Sequence, residues 1–415
     1  MEASDTMQAW LIAFPRQAGM RSKSNSNADL HADTDSWGFH LTYVAQSDDL
    51  KPQEKKQVLY GLTKLKQVFD DDWLRQARKE HHPLVAYIIN KAPWSQLWLA
   101  QFGMKLDALN KLANFSKLVR RLRSSKEYTG AEAELEAAAK LITAGITNIE
   151  LYPEIKVKGK PKTPDLRAIV GGQDIYFEVK ALREPKDSVD ASWTHQQLTY
   201  TLFDRETLQH ELLYFCQIHK ILSRPRIEEF RTKIRRAIAE VKQTKEYAYI
   251  REQGILDYLV IHQSKQEQCD ALVKRFGIKK EISGPPFKSD DIMRLKHKLQ
   301  ESGQLPEDKP GVMIVFGNLL YFGSEEHFYE DLVYQLEDTI YDLENVVLAS
   351  IISKTVGLEQ VNKIAQKPHY ILVRKSHNLV QETMLVLENR YSKFPVNKEI
   401  LSALATSSSL GRKYR

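Results

Sequence analysis

Thr163-Pro-Asp-Leu-Arg-Ala-Ile-Val-Gly-Gly-Gln-Asp-Ile-Tyr-Phe-Glu-Val-Lys180 holds two β-rich runs separated by Gly171-Gly172. A two-residue glycine loop between such runs predicts a tight primed-type hairpin, and that loop fixes the register. Val170 then faces Gln173, Ala168 faces Ile175, Leu166 faces Phe177, and Asp165 is expected directly opposite Glu178. Strand alternation sorts the side chains into two faces. One carries Leu166, Ala168, Val170, Ile175, Phe177, Val179 and Ala181 and belongs on a core. The other carries Asp165, Arg167, Ile169, Asp174, Tyr176, Glu178 and Lys180 and is almost wholly polar.

Directly opposed side chains have Cβ atoms about 5 Å apart. Two carboxylates at that separation repel by roughly 3 kcal/mol at an effective dielectric near 20. A hard divalent cation with oxygen ligands offsets this, which makes Mg²⁺, with Mn²⁺ as a substitute, the expected cofactor. Asp165, Glu178 and the backbone carbonyl of Val179 are the candidate ligands, and Lys180 is placed to orient an attacking water and stabilise developing charge. A solvated hairpin face with Lys180 as a balancing charge is the plainer alternative. The Glu-x-Lys pattern alone carries little, because it also occurs at Glu54, Glu154, Glu184, Glu240 and Glu307; only Glu178 and Lys180 share a strand with an Asp set opposite by a tight turn.

Working outward, Ala133-Glu134-Leu135-Glu136-Ala137-Ala138-Ala139-Lys140-Leu141 reads as a helix that ends at Gly145. Pro164-Asp165 followed by Glu178-Val179-Lys180, with that helix before it, resembles the PD-(D/E)xK nuclease superfamily, the restriction-endonuclease-like fold. The resemblance covers about 70 residues, from Tyr128 to Tyr200. It implies metal-dependent phosphodiester hydrolysis with Glu134, Asp165, Glu178 and Lys180 as the catalytic set, Glu134 joining the metal ligands. Glu136 competes with Glu134 for the helix position, and Glu132 is a further choice. Some members carry Gln-x-x-x-Tyr on the next helix, which Gln196 and Tyr200 fit, sixteen residues after Lys180.

The net charge of +6 names no partner by itself. Its distribution says more. Lys156, Lys158, Lys160 and Lys162 precede the hairpin without an intervening acid, and Lys117 to Lys126 is a second all-basic stretch. Lys220 to Glu246 holds nine basic residues against four acids. Each alone is explained by solvation; three around one candidate site point to a nucleic-acid groove, with DNA favoured over RNA. The acidic helix expected around Glu325, Glu326, Glu330 and Asp331, capped by Ser324, belongs away from that groove.

At 415 residues, with 42% hydrophobic and 27% charged residues, the chain reads as a globular protein of more than one part. Residues 19–36 and the tail from Thr406 are polar and expected to be mobile. Two cysteines, Cys216 and Cys269, make neither a disulfide framework nor a zinc site. With no export signal and no apolar run of membrane length, a cytoplasmic protein with no membrane partner is expected. No phosphate-binding Gly-rich loop, zincin spacing or nucleophile elbow occurs.

The expected architecture is α/β: a mostly helical module at 1–126, a nuclease-like mixed-sheet core flanked by helices at 127–265, and an α/β extension at 266–415. The expected function is Mg²⁺-dependent endonucleolytic cleavage of DNA, acting as a homodimer or with a partner protein. The alternative is a non-catalytic nucleic-acid-binding scaffold with the same fold.

Overall fold

The computed structural model describes residues 36–157, 159–182, 186–199, 212–285, 291–317, 326–356, 362–377 and 380–405. The N-terminal part is helical: α1 (Trp37–Gln46), α2 (Pro52–Val68), α3 (Asp71–Lys79), α4 (Pro83–Ile89), α5 (Pro93–Leu109) and α6 (Phe115–Leu122) lead into α7 (Tyr128–Thr143). Residues 19–35 and 406–415, expected to be mobile, lie outside the described residues, as does Ser324.

Beyond α7 the chain enters a mixed sheet. The strands β1 (Ile149–Leu151), β4 (Leu166–Val170), β5 (Gln173–Leu182), β10 (Gly311–Gly317), β11 (Val346–Val356), β14 (Val380–Glu388), β13 (Tyr370–His377) and β12 (Asn362–Gln366) are neighbours in that order. β10 runs parallel to both β5 and β11, and the other pairs are antiparallel. β2 (Ile155–Val157) and β3 (Lys160–Lys162) form a separate hairpin.

The β4–β5 register runs from Leu166 opposite Phe177 to Val170 opposite Gln173, as the glycine loop predicts. Gly171 and Gly172 have φ of 58° and 80°, the left-handed pair that a type I′ turn requires and glycine adopts without strain. The apolar hairpin face packs on α7 and the N-terminal helices in one core holding Phe177, Val179, Ala137 and Leu141. The opposite face is not a wet surface. α11 (Asp291–Gln300) and α12 (Glu326–Tyr341) cover it in a second core containing Tyr176, Leu182, Leu295, Leu299 and Tyr329. α12 keeps Tyr329, Leu332, Leu336 and Ile340 inward while Glu330 and Asp331 stay exposed, as expected of an amphipathic acidic helix. The last described helix is α13 (Lys398–Leu404).

Contacts divide the chain into Met1–Arg183 with Asp291–Arg415, and Glu184–Asp290. This differs from boundaries at 126 and 265. The reason is β10: it pairs directly with β5, so a strand from the expected extension completes the sheet of the expected core. The inserted unit contains α8 (Lys186–Leu198), β6 (Leu212–Ile218), α9 (Arg224–Thr244), β7 (Tyr247–Glu252), β8 (Leu256–His262), α10 (Cys269–Phe276) and β9 (Ile282–Ser283). Its sheet order is β7-β8-β6-β9. Ile227, Phe230, Ile234 and Ile238 of α9 pack on Cys216, Tyr258 and Val260. No helix among the described residues is long and apolar enough to cross a membrane.

Candidate active site

α7 is rich in alanine, a strong helix former, and it stops where Gly145 takes φ of 95°. The Gly145 N–H donates to the Ile142 carbonyl and the Ile146 N–H to the Leu141 carbonyl, a Schellman closure. Glu134, in the second turn of α7, meets Tyr152 just after β1 and shares a cavity with Asp165 just before β4 and with the later half of β5.

Asp165 lies one residue before β4. Its N–H donates to the Phe177 carbonyl at 3.1 Å, its carbonyl accepts from Tyr152 at 2.9 Å, and its Oδ2 accepts from the Val179 N–H at 2.7 Å. The β4–β5 ladder stops at Leu166 opposite Phe177, one residue short of the expected Asp165–Glu178 pair. Pro164 has no N–H with which to continue the ladder, and the Val179 N–H goes to the Asp165 carboxylate, while the Tyr152 contact extends the β1–β4 register on the other side of the strand. The two acids remain electrostatic neighbours. Burial, followed by the charge of Asp165, pushes Glu178 up to about 7, although Lys180 acts in the other direction.

Glu178 Oε1 accepts from Lys180 Nζ at 2.5 Å, while its buried Oε2 accepts no hydrogen bond from the described residues. Burial opposes the Lys180 charge, but Glu178 and Asp165 prevail and hold the ammonium above its ordinary value. Glu134 Oε2 pairs with Arg121 at 2.5 Å and also accepts from the Tyr152 hydroxyl. Burial and then Asp165 push Glu134 up to about 7 against the pull of Arg121.

Glu134, Asp165, Val179 and Lys180 line one cavity of about 470 Å³ together with Arg121, Arg294, Lys298 and Glu301. Glu178 does not line it and stands behind Lys180. Glu136 is elsewhere, in a buried pair with Lys105 at 2.5 Å, and the charge of Glu132 acts on Tyr87 and Tyr128. Lys156 and Lys160 are exposed on the β2–β3 hairpin and Lys162 is half-buried; Lys158 lies outside the described residues. Gln196 belongs to α8 of the inserted unit, and Tyr200 lies outside the described residues.

Sequence reasoning did not single out Tyr152, Arg121 or the α11 residues. Tyr152 adopts φ of 50°, a left-handed conformation costing about 1–3 kcal/mol in a bulky residue. Lys117 lies over its ring at 4.7 Å. Arg121 stood inside a basic stretch with nothing to distinguish it. Arg294, Lys298 and Glu301 carry no motif.

The donor set suits a hard divalent cation in its chemistry: carboxylate oxygens that repel one another, one of them buried and without a hydrogen bond. It is not a closed cage, since no group of three His, Cys, Asp or Glu side chains among the described residues stands ready to hold an ion. Glu134 and Glu178 are instead turned toward Arg121 and Lys180. Comparison with protein-family models, with curated proteins and with solved structures gives no match.

Proposed function

We propose that the protein is a metal-dependent nuclease with a restriction-endonuclease-like core, cleaving phosphodiester bonds internally in DNA. The observation that carries this reading is the meeting of Glu134, Asp165 and Lys180 at one cavity, with Glu178 paired behind Lys180. The helix carboxylate, the residue before β4 and the β5 lysine come from three separate elements, and an exposed polar face gives no reason for them to converge.

Asp165 and Glu178, with Glu134, would hold Mg²⁺ or Mn²⁺, which supplies neutralisation of charge on the phosphodiester. Lys180 remains an ammonium at neutral pH, so it acts as a donor and not as a base. Its Nζ, fixed by Glu178 Oε1, orients the attacking water and stabilises the extra negative charge on the phosphoryl oxygens. Asp165 is fixed by the Val179 amide, which keeps its carboxylate in place as charge builds. The two free, buried cysteines, Cys216 and Cys269, suit a cytoplasmic setting.

The test is incubation of plasmid and oligonucleotide DNA with Mg²⁺, Mn²⁺ or EDTA, for wild type, Asp165→Ala and Lys180→Ala. Metal-dependent cleavage that is lost in both variants supports the assignment, and cleavage retained in both removes it. A second reading, a nucleic-acid-binding scaffold with no catalysis, is favoured by one observation: Glu134 and Glu178 are already engaged by Arg121 and Lys180. DNA binding without cleavage in either metal supports that scaffold.

A further inference from the structure

α11 covers the hairpin face through Leu295 and Leu299, four residues apart and both fully buried. Arg294 and Lys298 are each one position earlier, share the adjacent helix face, and are half-buried where they line the cavity. The apolar pair anchors the helix and sets the two cations one turn apart on its cavity side. Like charges at that spacing destabilise a helix by a few tenths of a kcal/mol. Glu301 bridges Lys298 at 2.8 Å and also acts on Lys180, keeping cationic groups gathered at the cavity. Arg121 faces the same space from α6. The acids of the cavity come from α7, the approach to β4 and the residue after α11, whereas its cations come from α6, β5 and α11.

We propose that α11 forms a phosphate-binding wall, in which Arg294 and Lys298 hold the non-bridging oxygens of a DNA phosphodiester at the cavity. This deepens the nuclease reading and rests on it for what happens to the bound strand; the binding role itself needs only the anion and the two cations. Arg294 offers the forked donor geometry that matches phosphate, and Lys298 exchanges Glu301 for the strand. Both are positioning residues. The segment after the inserted unit is therefore part of substrate recognition, and residues 127–265 alone would bind DNA poorly.

The experiment measures the full chain by fluorescence anisotropy with a short fluorescein-labelled DNA duplex in Ca²⁺ across a KCl series, and by cleavage kinetics in Mg²⁺. It compares wild type with Arg294→Gln/Lys298→Gln and with the charge-conserving Arg294→Lys, all checked for folding by circular dichroism. Loss of two phosphate contacts is expected to lower the salt slope by about 1.8 and raise KM about tenfold with kcat within about twofold. Arg294→Lys should recover part of the affinity. An unchanged salt slope and KM in a folded double variant overturns the wall while leaving wild-type cleavage intact. DNA binding that depends on Arg294 and Lys298 in a wild type that never cleaves keeps the wall and removes the nuclease reading.

Discussion

Glu134 and Glu136 stand two residues apart on α7, and each meets a basic side chain at 2.5 Å. Their surroundings separate them. Glu136 and Lys105 are both closed in, with side-chain exposures of 7% and 6%, and nearby Lys140, at 1%, reaches Glu382 on β14 at 3.5 Å. Glu134 is as buried as Glu136, but its partner Arg121 is 22% exposed, the same value as Lys180 beside Glu178. In the core pairs both charges are shut away from solvent. In the cavity pairs the cation stays accessible, so a phosphate can compete with its carboxylate or a metal ion can take its place. What separates the two kinds of pair is one partner open to a cavity.

The largest effect expected from this contrast is catalytic. Asp165→Ala should lower the rate of DNA cleavage about a thousandfold with little change in melting temperature, because what is lost is a carboxylate that would hold the metal ion at the reacting phosphate. A large fall in melting temperature would assign Asp165 to the core group instead. On the other side, Glu136→Ala should destabilise the fold by about 3–5 kcal/mol by removing the buried carboxylate that Lys105 meets at 2.5 Å, measured by urea unfolding. The double variant Glu136→Leu/Lys105→Met should recover most of that loss, which a catalytic role for Glu136 does not predict.

A pH series sharpens the same comparison. Glu178 is held at about 7 in the folded chain, above its ordinary value near 4.5, so the folded state binds the extra proton. Its contribution to stability is complete below about 4.5 and is lost as pH rises through about 7. Without added metal, wild type should therefore lose more stability than Glu178→Gln between those limits, followed by thermal melting. Mg²⁺ should restore part of the difference at pH 7 in wild type only. An identical pH slope in both proteins contradicts the placement of Glu178 among repelling carboxylates. The smallest effect concerns the exposed hairpin lysines: Lys156→Ala/Lys160→Ala should weaken DNA binding about threefold, and only at low salt.

How far the site was legible follows from the range of each interaction. The β4–β5 register was readable because two glycines set it locally, and strand alternation fixes which of its residues share a face. That the Asp165 carboxylate takes the Val179 amide was not, since alternation assigns side chains to faces and does not record their hydrogen bonds. The choice between Glu134 and Glu136 turned on Lys105 and Arg121, which arrive from different helices. Insertion of β10 beside β5, and coverage of the polar face by α11, pair segments more than a hundred residues apart, and no periodicity records that. The inserted unit hid this by separating the two halves of one sheet in sequence.

The most direct measurement is the single-turnover conversion of supercoiled plasmid to nicked or linear DNA by wild type and by folded Lys180→Ala, in Mg²⁺ and in EDTA. The account predicts cleavage by wild type in Mg²⁺, none in EDTA, and a rate for Lys180→Ala lower by about two to three orders of magnitude. Equal rates for the two proteins, or a wild type that binds the plasmid and leaves it intact in both Mg²⁺ and Mn²⁺, would contradict it.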